Sequence, residues 1–437
     1  MNYTSDDVKV LLSDRYATVE AVTEEREPPV EQVRPLGDTF AALRHRNFRF
    51  FYVGHLLSLS GTWLQVTALG WLVLELTDSE LWLGITNAAT SAPILLFSLY
   101  AGVLADRRDK RSILIVAQWA AFAQALLLGV LTDLGMINIG WIIALALGLG
   151  IANAFEIPTR QSFFVELVGE KDLTNAIALN STAFNATRMV GPAVAGGLIG
   201  AVGIAACFYW NAFSYLAVIA GLMMIRRIPP VVRPKTESAA TEIREGFNWI
   251  RENPIARSVV LFISLASVLV FPFTMLLPVF ARDILEVGAQ GLGLLFSATG
   301  GGALAAGIGL ASVAGKVRRG RLLLLSATAF CIFVAAFALS RSFFLSLALL
   351  ACAGFCMILC TATANSLLQV LVPNEIRGRV MSVYVVMFLG VTPIGYLQAG
   401  ALARMMGATT ALVGGSAVLL LILVTLLWRI PTLRDFV

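Results

Sequence analysis

The chain has 437 residues, 58% hydrophobic and 14% charged, with a mean hydropathy of +0.81. A soluble domain is about 45–50% apolar and about 25% charged, which excludes a water-soluble globular enzyme and, beyond the N-terminus, disorder. The formal net charge of +5 does not point to nucleic acid, because the basic residues fall between apolar runs.

Residues 1–37 carry Asp6, Asp7, Asp14, Glu20, Glu24, Glu25, Glu27 and Glu31 with Pro28 and Pro29. Such a segment buries too little apolar surface to order itself and lacks the pattern of a signal peptide, so a disordered cytosolic tail is expected. From Asp38 to Phe51, Arg44, Arg46 and Arg49 alternate with Phe40, Leu43 and Phe48, a pattern that suits a helix lying on an anionic leaflet.

A hydrocarbon core of about 30 Å takes about 20 residues per helix. Twelve runs qualify: 50–74, 82–105, 112–132, 138–156, 177–201 and 204–225, then 258–281, 291–314, 321–340, 343–368, 380–403 and 408–428. Between the sixes lies 226–257, with Pro229, Pro230 and Pro234 among alternating charges, which reads as a cytosolic linker. The expected organisation is a tail (1–37), a six-helix lobe (38–225), the linker, a second lobe (258–430) and a short cytosolic tail (431–437). Lys and Arg gather on one side, as in Arg107, Arg108, Lys110 and Arg111 or Lys316, Arg318, Arg319 and Arg321, while the opposite loops hold Arg282, Arg341 and Arg404. The positive-inside rule then puts both termini in the cytosol of a multi-pass plasma-membrane protein.

The halves repeat. Thr159 to Val168 echoes Thr363 to Val372, and each stretch is followed by a short charged loop and a helix bearing Pro192 or Pro393 among glycines. A six-plus-six parallel repeat is the architecture of two-lobed transporters with a site between the lobes. Cys207, Cys331, Cys352, Cys356 and Cys360 all sit in apolar runs and read as small hydrophobes rather than disulfides or metal ligands.

Ala101–Gly102–Val103–Leu104–Ala105–Asp106–Arg107–Arg108–Asp109–Lys110–Arg111 resembles motif A of the major facilitator superfamily, in its place between the second and third spans. Gly61–Thr62–Trp63–Leu64–Gln65, Asn175 to Ser181, Arg188–Met189–Val190–Gly191–Pro192 and Arg377 to Ser382 resemble one bacterial branch, which includes enterobactin exporters and macrolide efflux proteins. The resemblance covers about residues 40–430 and implies an all-α polytopic fold of twelve helices in two pseudo-symmetric lobes. It also implies a secondary exporter of amphipathic organic compounds working by proton antiport.

It further implies a latch, in which Asp106 meets the positive end of the eleventh span's dipole and Arg107 and Arg111 pair with it or with Asp109, with Gly102 completing the spacing. In the fifth span Gly191, Pro192, Gly196 and Gly197 resemble the antiporter motif, one residue longer than usual, and would form a bend and a close lobe contact. Arg188 is the one basic residue well inside a span; such charges face a cavity or a partner, here an anionic substrate group or Glu156. Gln65, Asn180 and Asn185 are further substrate or proton candidates, and Trp63, Asn365, Gln369, Phe271, Phe273, Met275 and Tyr384 are looser ones. The fourth span, Trp141 to Phe155, lacks the arginine usual in drug antiporters of the superfamily.

The expected partners are a small organic substrate, protons and lipid, with the protein acting as a monomer and without nucleic acid, metal or cofactor. The alternatives are a proton-coupled nutrient importer and a non-transporting membrane sensor or enzyme. An enzyme should show an intramembrane His, Asp or Ser–His constellation, whereas the two histidines, His45 and His55, sit at the entrance to the first span.

Overall fold

The computed structural model describes residues 40–225, 239–313 and 318–429, without the side chains of 99, 103, 106, 239–242, 310–313, 427 and 429. The chain divides into Met1–Ala41 and Ala42–Val437. Of the first unit only Phe40 and Ala41 are described, so the expected tails at 1–37 and 431–437 lie outside the described residues. All that follows concerns the second unit.

In the first half, α1 is Arg46–Thr77, α2 Glu80–Arg107, α3 Lys110–Asp133 and α6 Ile204–Met224. Between α3 and α6 one helical stretch runs from Ile139 to Ala201, 63 residues, and is broken at Gly169, where φ is 71° and ψ 172°. The parts before and after the break are α4 and α5. The break falls where the sequence repeat puts the turn after Val372, so it separates two membrane spans. Asp109 starts α3 by accepting from the Ser112 backbone N–H at 3.0 Å, and Asn138 starts α4 by accepting from that of Trp141 at 3.1 Å. Both are side-chain caps that satisfy an otherwise unpaired donor.

Between the halves, α7 is Ala239–Glu252, so the expected linker is helical over much of its described part, and its last residues already belong to the next span. The second half continues with α8 (Pro254–Leu269), α9 (Phe273–Val279), α10 (Gly288–Val313), α11 (Arg319–Leu339), α12 (Phe343–Leu371), α13 (Arg377–Val385), α14 (Thr392–Met406) and α15 (Ala408–Arg429). The seventh span is thus two helices, α8 and α9, joined by a turn at 270–272 and followed by a wide π turn at Phe280–Ile284. The eleventh is α13 and α14 about a π turn at Val386–Gly390. Among the described residues eleven helical runs are long and apolar enough to cross a membrane; with the Ile139–Ala201 run counted as two, the expected twelve spans are present.

One local expectation is corrected. Of the stretch Asp38 to Phe51, expected as a helix lying on a leaflet, residues 38–39 lie outside the described residues and Arg46 to Phe51 are the first turns of α1. Phe48 and Phe51 are fully buried against Phe163 and Phe164 of α4. Ala42 N–H donates to Asn175 Oδ1 at 2.9 Å, and His45 Nε2 lies 2.9 Å from Asp172 Oδ2, which pins this entry to α5. The Arg/Phe alternation suits either surface, and aromatic packing decided it.

Large apolar side chains such as Trp428, Phe344 and Met405 are exposed on the outside, as lipid-facing residues are. Inside, helices approach through small residues, since lipid supplies no hydrophobic drive to pack them. A Cβ on Gly54 of α1 would fall 2.6 Å from Ala217 O of α6. Gly169 is different: a Cβ there would meet nothing within 4 Å, yet its φ and ψ are accessible almost only to glycine. Gly169→Ala is therefore expected to destabilise the protein by about 1–3 kcal/mol through backbone strain alone, read as a lower Tm in detergent; an unchanged Tm would refute the strain.

Candidate functional site

Two seams join the halves. Along the α5–α10 seam, a Cβ on Gly196 would lie 2.7 Å from Ala289 O, one on Gly300 would lie 2.6 Å from Arg188 O, and Gly293 lies against Pro192 O. Along the α2–α14 seam, a Cβ on Gly84 would lie 2.6 Å from Tyr396 O and 3.2 Å from Gly400 Cα. The fifth-span residues singled out in the sequence thus separate by role. Gly196 and Pro192 face α10, a Cβ on Gly191 would lie 2.7 Å from Trp63 Cβ of α1, and a Cβ on Gly197 would meet nothing within 4 Å.

Ion pairs add to these seams at the α1–α2 end. Arg282, in the π turn after α9, pairs with Asp78 and donates to Leu74 O at 2.8 Å, while Arg404 lies 4.0 Å from Glu80. Asp78 is exposed, so the pair with Arg282 is worth about 0–1 kcal/mol. Arg282→Ala should leave folding intact and weaken the closure of this end by up to about fivefold in population. The expected readout is faster labelling of Asn87→Cys, which lines the cavity described next, by a membrane-impermeant thiol reagent; an unchanged rate would refute the tie.

Between the halves lies a cavity of about 450 Å³, within the range of small-molecule sites. Most of its lining comes from the first half, where His55, Gln65, Asn87, Gln118, Glu156, Arg160, Arg188 and Asn211 stand among apolar residues such as Leu59, Val66, Leu69 and Phe184; the second half contributes Thr274, Met275, Pro278, Phe296 and Tyr396. Glu156 and Arg160, one turn apart on α4, form an ion pair at 2.8 Å with both side chains largely buried. Arg160 Nη1 lies 2.8 Å from His55 Nε2, and Asn180 Oδ1 lies 3.0 Å from that same nitrogen. A guanidinium can only donate, so His55 Nε2 accepts from Arg160.

Deeper in the first half, Gln65 donates to Gln124 Oε1 at 3.2 Å, and Asn211 donates to Gln65 Oε1 at 2.8 Å and to Tyr215 OH at 3.3 Å. On the same wall Thr86 Oγ1, Gln118 Oε1 and Trp63 Nε1 have no hydrogen-bond partner among the described residues. Arg188 does not reach Glu156. Its guanidinium lies over the Trp63 ring, 5.7 Å from the centroid.

The structure therefore gathers Gln65, Glu156, Arg188, Trp63 and Met275 around one cavity, with Asn180 bonded to its rim. Asn185 donates to Ser181 O at 2.9 Å within α5, and Asn365 accepts from Gln369 at 2.7 Å within α12. Phe271, Phe273 and Tyr384 pack in the second-half aromatic core with Phe330 and Phe388. In the α2–α3 loop Asp109 caps α3, Arg111 donates to Met223 O at 3.0 Å, and Arg107 is exposed. Gly102 lies in α2 with nothing near its missing Cβ, and the Asp106 side chain is outside the described residues.

Two cavity groups escaped the sequence reading. Arg160 reads as a loop charge after a span ending at Phe155, but α4 runs on to residue 168. His55 reads as an entrance residue, yet it is buried at 5% exposure. The i, i+4 spacing of Glu156 and Arg160 was the available signal.

Twelve apolar helices in two halves about a central cavity define a polytopic membrane transporter. The chain belongs to the major facilitator superfamily: the family described as "transmembrane secretion effector" matches residues 37–435, and the protein is not an enzyme. It is 25% identical over 386 residues to the multidrug efflux pump Tap of Mycolicibacterium fortuitum, covering 86% of this chain and 93% of that one. To the enterobactin exporter EntS of Escherichia coli it is 23% identical over 395 residues, 90% and 94% of the two chains. The staphyloferrin A transporter of Staphylococcus aureus is 28% identical over 257 residues, 58% of this chain and 64% of that one. The fold is shared with the nucleoside transporter NupG (TM-score 0.69, 12% identity, 87% of this chain and 98% of that one). It is shared as well with a bacterial homologue of the human lysosomal transporter Spinster (TM-score 0.62, 13% identity, 89% and 96%).

Proposed function

We propose that this protein is a secondary exporter of amphipathic organic compounds of drug, macrolide or siderophore type, driven by proton antiport through rocker-switch alternating access. The observation that carries the reading is the cavity, in which charged and amide side chains such as Gln65, Glu156 and Arg188 stand among apolar ones such as Leu59, Val66, Met275 and Phe296, a lining that suits an amphipathic substrate. Glu156, the carboxylate on the cavity wall, is the proton carrier in this reading. Protonation breaks its pair with Arg160 and lets the first-half wall rearrange.

Export is supported by the names of the relatives, an efflux pump and an exporter. By the positive-inside rule the α2–α3 loop is cytosolic and the end tied by Arg282 and Asp78 faces outward, so the structure corresponds to the outwardly closed form. The α2–α3 loop from Gly102 to Arg111, with Asp106 as its carboxylate, is the latch of the opposite end in this cycle. The protein works as a monomer in the bacterial inner membrane, with its lobes at 38–225 and 258–430.

The test is accumulation of a panel of dyes, antibiotics and siderophores in an efflux-deficient bacterium, with and without a protonophore. Lower accumulation that the protonophore restores is the expected result. Higher accumulation in cells making the protein would overturn the direction, and no change with any compound would overturn the substrate class.

A further inference from the structure

We propose that the cavity selects substrates bearing a carboxylate or comparable anionic group, and that Arg188 is the residue that recognises it. The proposal rests on the transport reading above and adds the charge class of the substrate.

Four lining residues can carry a full charge: His55, Glu156, Arg160 and Arg188. Glu156 and Arg160 satisfy each other at 2.8 Å, and His55 accepts from Arg160 at 2.8 Å. Arg188 makes no ion pair among the described residues. A guanidinium within the membrane is held at a cost and belongs where it faces a cavity or a partner. Arg188 lines such a cavity, and among the described residues no acidic side chain pairs with it. The lining therefore presents one uncompensated cation and no uncompensated anion, so a cationic substrate would find no free counter-charge.

The placement fits recognition. Arg188 sits at the α5–α10 seam, where its carbonyl occupies the space a Cβ on Gly300 would need, so its backbone is packed between the halves. Its head lies over Trp63, whose ring face attracts a cation and orients the planar donor fork, which matches a carboxylate with two parallel hydrogen bonds. Trp63 Nε1 and Gln118 Oε1 lack partners nearby. Opposite, Met275, Pro278 and Phe296 offer apolar surface for the rest of the molecule. A bound anion thus has its charge at Arg188 and its apolar body against the apolar part of the lining.

Binding tests this separately from pumping. The purified full-length protein in detergent is titrated calorimetrically with three probes on one skeleton: 1-naphthaleneacetic acid, its primary amide, and 2-(1-naphthyl)ethylamine. Wild type should bind the acid at least about tenfold more tightly than the amide, as expected for a charge-assisted bidentate contact, and the amine most weakly. Arg188→Gln should bring the acid-to-amide ratio close to one, and Arg188→Lys should keep part of it. Tm identifies a variant that has lost its fold, in which case the Lys variant carries the test.

A purely structural Arg188 would weaken acid and amide alike and leave their ratio unchanged, which overturns the proposal. So would a wild-type ratio near one, tighter binding of the amine, or no binding of the acid. Wild type that exports the panel above without preferring the acid sinks this proposal and spares the export reading. Wild type that prefers the acid and exports nothing does the reverse.

Discussion

Replacing Glu156 by glutamine is expected to lower proton-driven export by more than about tenfold, the lower end of what a positioned proton-transferring group contributes elsewhere. Glutamine keeps the size and the hydrogen-bonding carbonyl of the side chain, but it cannot exchange a proton. Glu156 is 9% exposed and its partner Arg160 stands 2.8 Å away. The substitution leaves the largely buried Arg160 guanidinium without its counter-charge, which favours one arrangement of the wall permanently. Glu156→Asp, which keeps the ionisable group on a shorter stem, should retain part of the activity. Transport that is as fast and as protonophore-sensitive in Glu156→Gln as in wild type would remove Glu156 from the mechanism.

The second large effect is expected at Gly196. A Cβ there would fall 2.7 Å from Ala289 O and 2.9 Å from Gln290 Cα, and backbone atoms of a neighbouring helix cannot swing aside as the end of a side chain can. Gly196→Val should therefore hold α5 and α10 apart, at about 1–3 kcal/mol for overpacking, and lower transport by about tenfold or more if the close seam is one of the two states of the cycle. The adjacent Gly197 is the internal control. Nothing lies within 4 Å of its missing Cβ, so Gly197→Val should transport close to wild type and melt at nearly the same temperature. Equal behaviour of the two variants, measured by dye efflux and Tm, would refute the seam.

The spans were legible because hydrocarbon imposes one rule on every helix that crosses it: about 20 apolar residues with all backbone groups paired inside the segment. That rule reads length and composition, and it placed twelve spans to within several residues. It cannot read where a helix stops once it leaves the hydrocarbon. Hence α4 continues past Phe155 to bring Arg160 beside His55, and 226–257 turns out to hold α7. This helix braces α13 through the Glu245–Arg379 pair.

Partners were legible only where spacing fixes them. Glu156 and Arg160 share a helix face at i, i+4, but whether Arg188 reaches Glu156 depends on how α4 and α5 are rotated against each other. The packing of Gly191 on Trp63 and of Pro192 and Gly196 on α10 sets that rotation. The loose aromatic candidates failed for the same reason. Phe271, Phe273 and Tyr384 have the right chemistry for a cavity, but the break at 270–272 and the π turn at 386–390 turn them toward Phe330 and Phe388. Gln65, on the other hand, lines the cavity, although Gln124 and Asn211 already hold its amide.

The central claim, export coupled to proton entry through Glu156, is tested most directly in inside-out membrane vesicles. Respiration acidifies their lumen, and an exporter in the proposed orientation loads them with substrate from the medium. Vesicles with wild-type protein are expected to take up a substrate identified from the panel, a protonophore to stop the uptake, and Glu156→Gln vesicles to show none above vesicles lacking the protein. Uptake that persists after the gradient is collapsed, or that is equal in Glu156→Gln, would contradict it.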